Sequence, residues 1–119
     1  MTDSVVKNKI ALDPRQSPRT GREVLDASIT EKAFMQQVID LATLHGWLCY
    51  HTHDSRRSSP GFPDLVLIDD RCLLFVELKR ASGRLSYAQI VWRAAFLAVG
   101  ADYRLWFPSM WDEIVRVLT

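Results

Sequence analysis

Three residues in the middle of this chain have the types and spacing for phosphoryl chemistry. Asp64 closes the run Gly61-Phe62-Pro63-Asp64, and thirteen positions later Glu77 opens Glu77-Leu78-Lys79. Both acids and the lysine border runs that are otherwise apolar, Leu65-Val66-Leu67-Ile68 and Cys72-Leu73-Leu74-Phe75-Val76. Such runs read as strands covered on both faces. A carboxylate at their margin is costly unless something compensates its charge. A divalent cation held between two such carboxylates, with an ammonium alongside, would make a centre for hydrolysing a phosphodiester.

The elements that must position these groups follow from the hairpin register. If Asp70-Arg71 is a two-residue loop, Asp69 faces Cys72, and every further pair of opposed residues has numbers summing to 141. Asp64 and Glu77 satisfy that sum and fall opposite one another, with Cβ atoms about 4.5–5.5 Å apart, a spacing at which like charges repel. Hard cations such as Mg²⁺ take few protein carboxylates plus waters and phosphate oxygens, and would turn the repulsion into coordination. Strand alternation puts Lys79 on the face of Glu77, one pleat along. Asp-Arg is a poor turn pair beside Asn-Gly or Asp-Gly, and a one-residue slip would separate the acids.

At these residues the chain resembles a known family. Pro63-Asp64 with Glu77-Leu78-Lys79 looks like the PD-(D/E)xK nuclease motif. The wider text, Gly61 to Leu67 and then Glu77-Leu78-Lys79-Arg80 and Leu85-Ser86-Tyr87-Ala88-Gln89, is similar to the VRR-NUC branch of that superfamily, from about Glu31 to Val115. The resemblance implies a restriction-endonuclease-like core and Mg²⁺- or Mn²⁺-dependent cleavage of DNA. It implies Asp64, Glu77 and the Leu78 backbone carbonyl as metal ligands, and Lys79 as the group that positions or activates the attacking water. It further implies a homodimer acting on branched DNA, including four-way (Holliday) junctions. A non-cleaving DNA-binding module of the same fold and a sequence-reading restriction-type nuclease are the alternatives. The intact Asp, Glu and Lys argue against the first. The room for only one domain argues against the second.

Composition bounds the rest. The chain has 119 residues, 48% of them hydrophobic, which is enough for one domain with a core. No run of eighteen apolar residues occurs and Met1 to Lys7 lacks an apolar signal core, so neither a membrane span nor secretion is expected. Cys49 and Cys72 sit in strand-like apolar segments and read as reduced core thiols of a cytoplasmic protein. The net charge is only +1, against a strongly basic nucleic-acid binder. Locally, however, Arg56, Arg57, Arg80 and Arg84 cluster with Lys79 around the acids, as phosphate contacts would.

Residues 1–28 mix Pro, Ser, Arg and Asp without periodicity and read as a flexible arm ahead of a nuclease domain at 29–119. Thr30 caps a helix that stops at Gly46, and Trp47 to His51 reads as a strand. Ser86 starts a second helix ending at Gly100, Tyr103 to Phe107 reads as the last strand, and Ser109 caps a final helix. The order α-β-β-β-α-β-α predicts an α/β fold, a mixed sheet flanked by helices, with its site at the sheet edge.

Glu31 lies in a helix's first turn, where the dipole favours any acid; the resemblance makes it an accessory metal ligand. Gln89, three residues after Ser86, completes a capping box, whereas the resemblance turns it toward the site. The two roles look mutually exclusive. His51 and His53 share a strand face without further ligands at metal spacing, and His45 fits a helix end. Trp92 and Trp106 read as core, and Trp111 as an exposed partner or dimer contact.

Overall fold

The central hairpin sets the frame. The computed structural model describes residues 20–52 and 57–119, with only the main chain of Arg22. Strand β2 (Leu65–Ile68) runs antiparallel to β3 (Leu73–Leu78), with Leu65 opposite Val76 and Ile68 opposite Leu73. That is the register expected from the apolar pattern. The weak Asp70-Arg71 loop is reinforced from its margin: Asp69 Oδ1 accepts the Arg71 and Cys72 amides, both at 2.9 Å, and Oδ2 lies 2.7 Å from the Arg71 guanidinium. The aspartate thus supplies an Asx turn that the loop pair itself does not.

Strand β1 (Leu48–His51) pairs antiparallel with β2, and β4 (Tyr103–Trp106) runs parallel to β3, giving the order β1-β2-β3-β4. A parallel neighbour requires a crossover, here helix α3 (Tyr87–Ala98). On one face, Leu65, Leu67, Leu74, Val76 and Leu78 are fully buried. Against them pack Phe34, Val38 and Ala42 of α2 (Glu31–Leu44) and Ile114 and Leu118 of α4 (Trp111–Leu118). The spacing of four between the α2 contacts is the one that lines a single helix face. The Trp47 indole donates to the Leu118 carbonyl at 3.0 Å and ties the C-terminal helix to the start of the sheet.

Helix α3 lies over the opposite face, and none of its residues is buried to the same degree. What lies beneath it is aromatic. Phe75 stacks on Phe96 with centroids 4.4 Å apart, Phe96 stacks on Tyr103 at 5.8 Å, and Phe62 meets Trp92 edge-on at 5.2 Å.

The mixed sheet flanked by helices is as expected, with four differences in detail. Gly21–Ser28, inside the segment read as an arm, forms helix α1, started by a Thr20–Glu23 capping box and packed on the turn at Pro108–Met110. Residues 1–19 lie outside the described residues. The last helix is not capped by Ser109: a 3₁₀ turn, Pro108–Met110, leads directly into α4, with Met110 at the cap position and no side-chain cap. Trp111 is half-buried against the core, because it begins a helix whose other apolar residues face inward. Finally, β2 and β3 are the central strands, so the acids stand at the ends of central strands rather than at the sheet edge. Among the described residues, no helix is long and apolar enough to cross a membrane.

Candidate active site

One step beyond the last paired residues, Leu65 and Val76, the ladder brings Asp64 opposite Glu77. The local sequence fixes both ends of that step. Asp64 follows Gly61-Phe62-Pro63, and Gly61 has φ +93°. A Cβ at Gly61 would collide with the Ala88 carbonyl and approach the Gln89 nitrogen to 2.8 Å, so only glycine lets this loop lie against the first turn of α3. Pro60 is held from above, its carbonyl accepting the Trp92 indole N–H at 3.0 Å. Asp64 Oδ2 accepts the Leu78 amide at 2.9 Å, which locks its carboxylate across the strand end.

Glu77 is 1% exposed, the one charged residue buried to that degree among the described residues. Its Oε2 accepts the Gln89 amide at 2.9 Å and lies 3.4 Å from Lys79 Nζ. Burial first, and the Asp64 charge second, push its carboxyl up to about 8, against the opposing pull of Lys79; a hydrogen bond between the two carboxyl groups adds to the rise. Tyr103, stacked beneath α3, is pushed up to about 12 by burial and then by the Glu77 charge. A carboxyl whose ionisation is held back by burial and by a facing carboxylate forms, together with that neighbour, a donor set for a hard divalent cation. The residues fit such an ion.

Gln89 reconciles the roles that looked exclusive. Its Oε1 accepts the Ser86 amide at 2.8 Å while its Nε2 donates to Glu77. A carboxamide has an acceptor at one corner and donors at the other, so one side chain closes the capping box and reaches the acid.

The other expected residues are less gathered. Glu31 begins α2, beside its Thr30 cap. No group of three or more His, Cys, Asp or Glu poised for a metal occurs among the described residues. Arg57, Arg80 and Arg84 are exposed. Arg56 and His53 lie outside the described residues, and His51 is half-buried at the end of β1. Gly61's steric role and the Trp92–Pro60 bond were not anticipated. The signal for the first was the Pro60-Gly61 pair, which marks a turn.

No family model and no curated protein matches this sequence. Among solved structures, the fold is similar to one described as a VRR_NUC domain, with a TM-score of 0.61 at 20% identity, covering 72% of this chain and 94% of that one. The chain therefore has the fold of that domain, the one expected from the motif.

Proposed function

We propose that this chain is a metal-dependent DNA endonuclease of the VRR-NUC type, selective for branched DNA such as four-way junctions. The observation that carries this reading is the buried Glu77 carboxyl, pushed up by burial and then by the facing Asp64, at the end of the central hairpin with Lys79 beside it. The likeness to a VRR_NUC domain supports it. Asp64, Glu77 and the Leu78 carbonyl would hold Mg²⁺ or Mn²⁺, which lowers the pKa of a bound water and neutralises charge on the attacked phosphate. Asp64, held by the Leu78 amide, and Glu77, held by Gln89, present their carboxylates already oriented. Lys79 sets a compact positive charge beside the phosphate and orients the attacking water. Arg57, Arg80 and Arg84, with Arg56, would steady the flanking phosphates. Incubating the protein with labelled duplex, flap and four-way-junction DNA, with Mg²⁺, Mn²⁺ or EDTA, tests the reading. Cleavage that survives EDTA, or none on any DNA in either metal, overturns it.

Lys79→Ala is expected to lose roughly 10²-fold or more in turnover, the scale of removing one preorganised charge, while still binding Mn²⁺ by calorimetry. Lys79→Arg should also be poor, since a planar guanidinium does not replace an ammonium. Loss of Mn²⁺ binding in Lys79→Ala would make the lysine structural.

The active unit is a homodimer on this reading. One copy offers few phosphate contacts, and a two-fold pair would present two centres to a symmetric junction. With Trp111 packed on the core, the exposed apolar side chains of α3, Ile90, Val91 and Leu97, each about half exposed, are the better interface. Light scattering should give a dimer that Val91→Glu splits. A monomeric parent that cuts duplex and junction at equal rates overturns both halves of the claim.

A further inference from the structure

Beside the acids lies a second feature that the chemistry above does not use. Sheet alternation arranges the face under α3 in rows. Continuing the ladder one step puts Thr52, Asp64 and Glu77 in one row, and the next row along the strands is Tyr50, Val66, Phe75 and Tyr103. Helix α3 covers the Phe75–Tyr103 half of that second row through Phe96. It leaves the other half open, and Tyr50 is 61% exposed.

Over the open half, a concavity of about 360 Å³ is lined by Tyr50, Thr52, Ser58, Ser59, Phe62 and Trp92. Its volume is within the range of small-molecule sites. It runs into a smaller hollow of about 150 Å³ that shares Thr52, Ser58, Ser59 and Phe62 with it and ends at Pro63 and Asp64. The larger hollow has a fixed aromatic side, since Phe62 and Trp92 pack edge-on and the Trp92 indole is anchored to the Pro60 carbonyl. Tyr50 supplies an aromatic ring free to adjust, and three hydroxyls supply donors and acceptors. Aromatic faces with adaptable hydroxyls between them suit a flat heteroaromatic ring with polar edges.

We propose that this concavity receives one unstacked nucleobase, that of a nucleotide next to the phosphate held at Asp64 and Glu77. The proposal rests on the nuclease reading for the identity of its ligand. Continuity decides the occupant. A nucleotide whose phosphate reaches the acids carries its own base into the neighbouring row, one pleat or about 7 Å away. A base inside a duplex stays stacked, and leaving the stack has a free-energy cost that is least where pairing is already broken. Bases at a branch point or in a flap meet that condition. The pocket thereby selects branched DNA through its unpaired bases, without reading their sequence, because every base has a π-face.

The test uses the full chain carrying Glu77→Gln, so that binding is read without cutting, and junction or flap DNA with 2-aminopurine placed in turn at each nucleotide around the branch. Quenching is expected at one position flanking the cut made by the parental protein. Tyr50→Ala should abolish that quenching and weaken binding of branched DNA about tenfold, the scale of one base–aromatic stack. Tyr50→Trp should restore both, and binding to linear duplex should change little in either variant. Because Tyr50 is exposed and outside the core, an unchanged melting temperature will show that Tyr50→Ala remains folded. Cleavage by the parent with no position-specific quenching, or quenching untouched by Tyr50→Ala, overturns the pocket and leaves the nuclease reading intact. Quenching in a protein whose parent cuts nothing keeps the pocket and overturns the nuclease. Conversion of a parental dimer to monomer by Tyr50→Ala would mean that a second copy covers this face, and would also overturn the proposal.

Discussion

Glu77→Gln is expected to abolish metal-dependent cleavage and, without metal, to melt at a higher temperature than the parent. Loss of activity by about 10²–10³-fold or more is the scale for removing one preorganised electrostatic group, and Asp64→Ala should match it. The stability gain follows from the raised carboxyl. In the unfolded chain Glu77 ionises near 4.5, and in the folded protein near 8, first because it is buried and then because Asp64 faces it. Below 4.5 the group is neutral in both states and its contribution is fully present. As pH rises from there through about 8, the unfolded chain releases the proton while the fold resists, and stability is lost. Glutamine keeps the shape and a hydrogen-bond acceptor for Gln89 but does not ionise, so the loss disappears. Melting curves in EDTA across that pH window should therefore slope less for the variant. Since 1 kcal/mol moves a domain of this size by roughly 4–8 °C, the difference is easily read. A variant that melts lower than the parent at the alkaline end would show that the pair is not strained.

How much of this was legible in the sequence depends on where each interaction lies. The hairpin was readable because two apolar runs bounded by acids admit one register that keeps Leu65, Leu67, Leu74 and Val76 on the core face. The opposed acids came with it. Helix α1 escapes a reading by periodicity although Thr20 and Glu23 spell a capping box, since its eight residues hold too few apolar positions to show a helical period. Trp111 was misjudged because exposure of a residue at a helix start depends on which way the preceding turn aims it, here through Pro108–Met110. The double role of Gln89 was out of reach. Its spacing from Ser86 predicts the cap, but only the parallel crossover sets that cap above Glu77. Trp92 reads as core and is half-buried, yet Ile90, Val91 and Leu97 of the same helix are each about half exposed. Composition counts apolar residues but does not say whether a second layer covers them.

Gly61→Ala is the second change expected to have a large effect, on stability and activity together. The added methyl needs a left-handed backbone that costs about 1–3 kcal/mol for a residue other than glycine. It also meets the Ala88 carbonyl and the Gln89 amide, which are backbone and cannot turn aside. The loop and the first turn of α3 must therefore separate, carrying Asp64 away from Glu77 on one side and Gln89 on the other. The variant should melt about 5–15 °C below the parent and bind Mn²⁺ more weakly, while its far-ultraviolet circular dichroism keeps the native shape because the opposite face is untouched. Gly21→Ala is the control: its Cβ would meet nothing within 4 Å, with no positive φ to satisfy. Equal melting temperatures for the Gly61→Ala protein and its parent would show that the loop has room to spare.

The two faces of the sheet differ in how firmly they are closed, and that asymmetry has a consequence for how the protein fails. The side carrying α2 and α4 is sealed by fully buried aliphatic residues, whereas α3 lies on its aromatic layer without one comparably buried residue. Regions with few buried apolar contacts open at lower free energy than the whole. Glu77 takes its carboxamide partner from α3, and Asp64 takes its loop position from the same helix through Gly61. When a single protomer is warmed, with no partner over α3, that helix should lift first, and the constellation at the strand ends would come apart while the hydrophobic half stands. Inactivation and melting are then two events, the first reversible, with the dismantled centre able to reassemble each time the helix settles back.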